Sequence, residues 1–202
     1  MAANYEAGPT PVMHTAEAPP AIADPAPLGL AGFGTTTLIL SVVNAGWIPA
    51  LSLGAALAMA AAYGGTAQFL AGMWAFRRGN TFAATAFSSY GAFWWSFYLL
   101  VVVFLPKMGT AAGPAVGLYL FAWGIFTTYM FIASLHTTRA VQSVFLLLFI
   151  TYFLLAFHYW INNAELGYIG GYVGIATAVA ALYTSFADVL NASARRVILP
   201  TN

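Results

Sequence analysis

The chain has no cysteine, which removes disulfides, thiolate nucleophiles, cysteine-ligated zinc and iron–sulfur clusters. Charge is the second shortage. Only 5% of the 202 residues are Asp, Glu, Lys or Arg, against roughly 25% in soluble domains. A net charge of +1 supplies no basic face, so nucleic acid is excluded as a partner. Histidines are few. His14 lies in a polar tail, and His136 and His158 sit near the ends of apolar runs, which leaves haem without deep ligands. No Lys or Arg falls inside an apolar run, so a retinal Schiff base has no lysine. No HExxH or GxSxG motif occurs, and no acidic pair lies within a run. Without a nucleotide motif or an acidic cluster, neither metal, sodium, ATP nor any other cofactor is implied. An intramembrane enzyme or redox carrier has little to work with.

What the chain does contain is apolar surface. It is 61% hydrophobic and 16% aromatic, with a mean hydropathy of +0.82. Such a chain cannot cover its own surface with polar groups, so it reads as an all-α integral membrane protein. Residues 1–23 form a Pro-, Ala- and Thr-rich tail with no basic n-region and no apolar h-region. The tail is expected to be disordered and is not a secretory signal. Residues 24–202 form one membrane domain. A span needs about 20 residues, and six runs qualify: 27–44, 51–76, 81–105, 115–135, 140–160 and 166–190. Short polar or Gly/Pro-containing connections separate them and leave no room for a soluble domain. With six spans both termini share a side. That side receives Arg77, Arg78, Arg139, Arg195 and Arg196, and the other receives only Lys107. The positive-inside rule then places both termini in the cytoplasm.

Few residues in the spans carry chemistry. Asp24 can accept a hydrogen bond from free N–H groups at the start of the first span, and Pro27 suits its first turn. Gly29, Gly32 and Gly34 follow, which fits either close packing or a ligand at the backbone. Asp188 is the one acid near the inner end of the sixth span. It is a candidate proton relay, or an interfacial partner of Arg195. Tyr63-Gly64-Gly65-Thr66-Ala67-Gln68 interrupts the second span with a glycine pair. There Gln68 can donate to an anion or bond across helices. The third span is rich in hydroxyls, from Thr81 to Tyr90. These neutral polar groups suit a small, weakly charged solute.

The chain resembles the acetate uptake transporters, which include the bacterial succinate–acetate permeases and the fungal ammonia/acetate-export-related proteins. The signature Asn-Pro-Ala-Pro-Leu-Gly-Leu appears as Asp24-Pro25-Ala26-Pro27-Leu28-Gly29-Leu30, with Asp24 replacing asparagine. Similarity continues through Gly32-Phe33-Gly34-Thr35-Thr36, Asn44-Ala45-Gly46, Tyr63-Gly64-Gly65, Gln68, Gly79-Asn80-Thr81-Phe82, Ser89-Tyr90-Gly91, Trp123-Gly124, Arg139 with Gln142, and Val189-Leu190-Asn191. The resemblance implies a homohexamer in the cell membrane, each protomer with its own path for acetate or related short carboxylates, succinate included. It implies an apolar constriction whose Phe, Tyr and Leu match Phe33, Tyr90 and Leu148. It also implies a position linked to substrate size at Ala181. Apolar constrictions gate by dewetting, which favours a small amphiphile over a hydrated inorganic ion. Thr35, Thr36 and Gln68 are candidate polar contacts near the gate. An ammonium or ammonia transporter is the alternative. A non-transporting membrane sensor or scaffold would need a larger surface than these connections supply.

Overall fold

The computed structural model describes residues 22–202, and the expectation of disorder for the tail falls on residues 1–21 outside that range. Six helical spans cover the described chain, and no strand occurs among the described residues. They are α1 (Ala26–Asn44), α2 (Ala50–Arg77), α3 (Thr81–Lys107), α4 (Gly109–Ser134), α5 (Arg139–Ile161) and α6 (Ala164–Ala194). Each is long and apolar enough to cross a membrane. Their limits follow cap chemistry. Asn80 accepts from Ala83 N at 3.0 Å, Thr138 from Val141 N at 3.3 Å, and Asn163 from Glu165 N at 2.9 Å. Asp24 Oδ1 accepts from Ala26 N at 3.0 Å, and Pro27 sits in the first turn of α1, as the sequence predicts.

The spans pack as a ring: α1 against α6 and α2, α2 against α3, α4 against α5, and α5 against α6. The backbones of α2 and α3 nearly touch. A Cβ on Gly91 would lie 2.6 Å from Phe69 N and 2.8 Å from Gly65 O, so only glycine admits this approach. The α3–α4 seam is wider and is filled by aromatic rings. Phe93 stacks on Tyr119 at 5.7 Å, and Tyr90 lies 6.1 Å from Trp123.

Two spans depart from α-helical winding. The glycine pair in α2 falls within a π-helical stretch, Ala60–Ala67, and α3 has a shorter one at Leu100–Phe104. The Ala61 carbonyl in the wide turn accepts from Trp95 Nε1 at 3.1 Å and from Thr66 Oγ1 at 3.3 Å. An inserted residue advances everything beyond it by about 100° around the axis. Gln68 begins the regular helix directly after this stretch, so the π segment sets where Gln68 points.

At the C-terminal end of α6 the chain reverses at Arg195, which has a φ of 53°. Asn191 holds the returning segment by accepting from Ile198 N at 2.7 Å and Leu199 N at 3.0 Å. Its Nδ2 donates to Leu199 O at 2.9 Å. Tyr183 donates to Pro200 O at 2.7 Å, and Thr201 O accepts from Ala140 N at 2.9 Å at the start of α5. The last residues thus tie α6 to α5.

Candidate substrate path

Two chambers open inside the ring from opposite ends. The first, at the end where Asp24 and Asn191 lie, has a volume of about 880 Å³. Its wall comes from the first half of α1, the start of α3, the start of α5 and the end of α6, together with Gln68 of α2. The second, at the opposite end, has a volume of about 370 Å³. The far halves of α1, α3 and α5 and the starts of α2, α4 and α6 line it. Phe33 belongs to both walls. Tyr90 faces only the first chamber and Leu148 only the second. All three side chains are buried, and the Phe33 and Tyr90 rings lie 5.9 Å apart. Phe33 is thus common to the two chambers, with Tyr90 on the first side and Leu148 on the second.

Hydrogen bonding fixes the Tyr90 ring. Thr127 Oγ1 donates to the Trp123 carbonyl at 2.7 Å, so its proton is spent. The 3.0 Å contact between the two hydroxyls must then have Tyr90 donating to Thr127. Phe126 packs edge-on against Tyr90 at 5.3 Å, which leaves the ring little freedom to swing.

The charged residues in the first chamber are both acids, Asp24 and Asp188. No Lys or Arg lines either chamber. In the second chamber the titratable groups are His158, Tyr152, Tyr159 and Tyr168. His158 Nδ1 lies 2.7 Å from the Asn163 carbonyl, so that nitrogen carries a proton and donates. No group of metal ligands occurs among the described residues.

Buried polar atoms normally find a partner. Among the described residues four side-chain atoms do not: Thr37 Oγ1, Gln68 Oε1, Trp94 Nε1 and Ser88 Oγ. Ser88 is pressed against Gly72. The other three belong to residues in the chamber walls, Gln68 in the first and Thr37 and Trp94 in the second. Gln68 is 1% exposed and Trp94 2%.

A pattern describing the GPR1/FUN34/yaaH family matches residues 6–202. The chain belongs to the GPR1/FUN34/yaaH family. This is the family its motifs resemble. An uncharacterized protein of Methanothermobacter thermautotrophicus is 48% identical over 89% of this chain and 91% of its own length. The succinate-acetate/proton symporter SatP of Escherichia coli K12 is 41% identical over 89% of the chain and 95% of its own length. The solved structure of the bacterial acetate channel SatP matches with a TM-score of 0.83 at 40% identity, covering 90% of this chain and all of that one. The last two relatives carry the names of a symporter and a channel.

Within this member of the GPR1/FUN34/yaaH family, the residues singled out from sequence divide into two groups. Phe33, Tyr90, Leu148, Gln68, Asp24 and Asp188 all line a chamber. Thr35, Thr36 and Ala181 line neither. Thr36 donates its hydroxyl to Gly32 O at 2.8 Å and packs on Gly64 of α2, so its side chain faces a helix interface. Thr35 is half-buried away from both chambers, and Ala181 is fully buried in the core. The hydroxyls that α1 brings to the second chamber are those of Thr37, one position further on, and Ser41. Sequence reasoning also missed Trp94. The Trp94-Trp95 doublet was visible, but only the fold shows that Trp95 has a partner for its N–H and Trp94 has none.

Proposed function

We propose that this chain carries acetate and related short-chain carboxylates, succinate among them, across the cell membrane. The path would run through the two chambers and the Phe33–Tyr90–Leu148 constriction. The observation that carries this reading is the pair of chambers that share the buried Phe33, with buried Tyr90 in one wall and buried Leu148 in the other. The acetate-linked names of relatives at about this level of identity support it. The five arginines beside the chain ends, against one lysine at the other end, favour cytoplasmic termini. The first chamber would then be the cytoplasmic mouth. Exposed side chains such as Leu118, Ile132, Tyr172 and Phe186 would meet lipid or neighbouring protomers of a homohexamer.

Asp24 and Asp188 give the first chamber a negative character, and this favours a second reading as an ammonium path. Reconstituted vesicles separate the two. Labelled acetate should enter faster with protein than without, and ammonium should not. Leu148→Ala should raise the rate for bulkier acids such as lactate by roughly tenfold, the scale of one lost side-chain contact. Robust ammonium flux without acetate flux would reverse the assignment. Asp188→Asn tests the relay: loss of gradient-driven accumulation would establish it, and intact accumulation would remove it.

A further inference from the structure

We propose that the groove on the outer face of α5 and α6 binds one anionic phospholipid. Its phosphate would sit on Arg139, and one acyl chain would lie along Ala176, Val179 and Ala180. This inference needs only the six-span fold and stands apart from the proposed transport.

Three observations carry it. First, the groove lies outside the ring, at the edge of the apolar layer, with a volume of about 590 Å³. Ala176, Val179 and Tyr183 line it and are exposed, and none of them lines a chamber. Arg139, also exposed, stands at the first position of α5. Ser185 Oγ donates to Pro27 O at 2.7 Å, so this part of α6 is level with the first turn of α1. From Tyr183 back to Ala176 the groove follows α6 for about 10 Å into the apolar layer. Ala140, Ala176 and Ala180 contribute only methyl side chains to it. Second, the polar atoms around Arg139 are already engaged with the protein. Ser143 Oγ donates to Arg139 O at 2.9 Å, and the Tyr183 hydroxyl donates to Pro200 O at 2.7 Å. Ala140 N donates to Thr201 O at 2.9 Å. The Arg139 guanidinium is the cation in the groove wall, and its planar fork suits two phosphate oxygens. Third, the acids of the described residues are elsewhere. Asp24 and Asp188 line the first chamber, and Glu165 lies in the first turn of α6, at the opposite end. A neighbouring copy in the same orientation would hold its described acids inside its own chamber or at that opposite end. Burying Arg139 against such a copy leaves a charge without a partner, which is strongly unfavourable. A lipid phosphate supplies the missing charge.

The headgroup decides which lipid stays. The bilayer interior is as apolar as the groove, so an acyl chain alone gains little by entering it. A phosphatidylcholine phosphate carries its own ammonium beside it, which competes with the guanidinium. A phosphatidylglycerol phosphate leaves its whole charge to Arg139.

The test titrates the whole purified protein in detergent with dioleoyl phosphatidylglycerol or dioleoyl phosphatidylcholine. It reads the melting temperature and, by native mass spectrometry, the lipids retained. Phosphatidylglycerol should raise the melting temperature saturably, with one lipid retained per chain, and phosphatidylcholine should not. Equal responses to the two lipids overturn the inference. Inorganic phosphate at the same concentration should change nothing. A rise with phosphate alone would reveal a site for a free anion and overturn the lipid assignment. Arg139→Gln should weaken phosphatidylglycerol binding about fivefold, the worth of one basic side chain at an anionic surface. Its melting temperature in phosphatidylcholine should match the parent's. A fall of equal size in both lipids would mean that Arg139 serves the fold alone, against the inference. Arg139→Lys keeps the charge without the fork and should recover part of the affinity. Val179→Trp fills the groove with Arg139 in place and should also weaken binding. An altered particle mass in that variant, with lipid affinity intact, would make the groove a contact between copies and overturn the lipid. Arg196→Gln, at the same end but outside the groove, should bind as the parent does. An equal loss there would mean diffuse surface charge instead of a site.

Discussion

Tyr90 holds its ring at the junction of the chambers through one hydroxyl, donated to Thr127, which in turn donates to Trp123 O. Tyr90→Phe keeps the ring and deletes the outer bond of that chain. The expected cost is about 1 kcal/mol, seen as a melting temperature lower by about 2–4 °C. Acetate flux should persist, because the apolar face remains. A fall as large as that of a Tyr90→Ala variant would mean that the hydroxyl itself conducts. The threonine run Thr35-Thr36-Thr37 shows what sequence could not resolve at this scale. It puts hydroxyls at three successive positions of α1, and each step turns the side chain by about 100°. Which one meets the chamber depends on the rotation of α1 against α6 and α2, not on residue type. Phe33 was singled out differently, by matching the Gly32-Phe33-Gly34 motif to the family it resembles.

Among the elements, α2 was the least legible and is the most constrained. Its span was evident from composition, and the Gly64-Gly65 pair flagged a weak point. The π winding was not evident, because a partner 34 residues away, Trp95, supplies the extra bond to Ala61 O. Trp95→Phe should therefore destabilise the fold by about 1 kcal/mol. It should also speed hydrogen exchange at residues 60–67 in detergent more than elsewhere. Uniform exchange would show that the π stretch stands without that bond. Gly91→Ala forces a methyl onto the Phe69 and Gly65 backbones and should cost about 1–3 kcal/mol in thermal melts. Gly54→Ala in the same span pair meets nothing within 4 Å. It should be neutral or stabilising, by up to about 1 kcal/mol. At the other end of the chain, Asn191→Ala removes three hydrogen bonds to the returning segment. Faster exchange at Ile198 and Leu199, with α6 itself unchanged, is the expected outcome.

For the whole molecule, the six spans were legible because polar connections punctuate long apolar runs, although α4 begins at Gly109 and not at residue 115, and α6 runs on to Ala194 and not to 190. Asn80, Thr138 and Asn163 act as caps as their residue types suggest. The ring order was not legible, since every span is apolar on most faces and periodicity cannot tell a lipid-facing side from a packed one. The two chambers meeting at Phe33 emerge only once the ring closes. The proposed function requires this ring to conduct short carboxylates past Phe33. The most direct measurement is initial uptake of labelled acetate into vesicles containing the purified protein, against protein-free vesicles and against Leu148→Ala. Saturable, protein-dependent acetate entry is expected, with faster lactate entry in the variant. Acetate entry equal to that of protein-free vesicles, with ammonium entering instead, would contradict it.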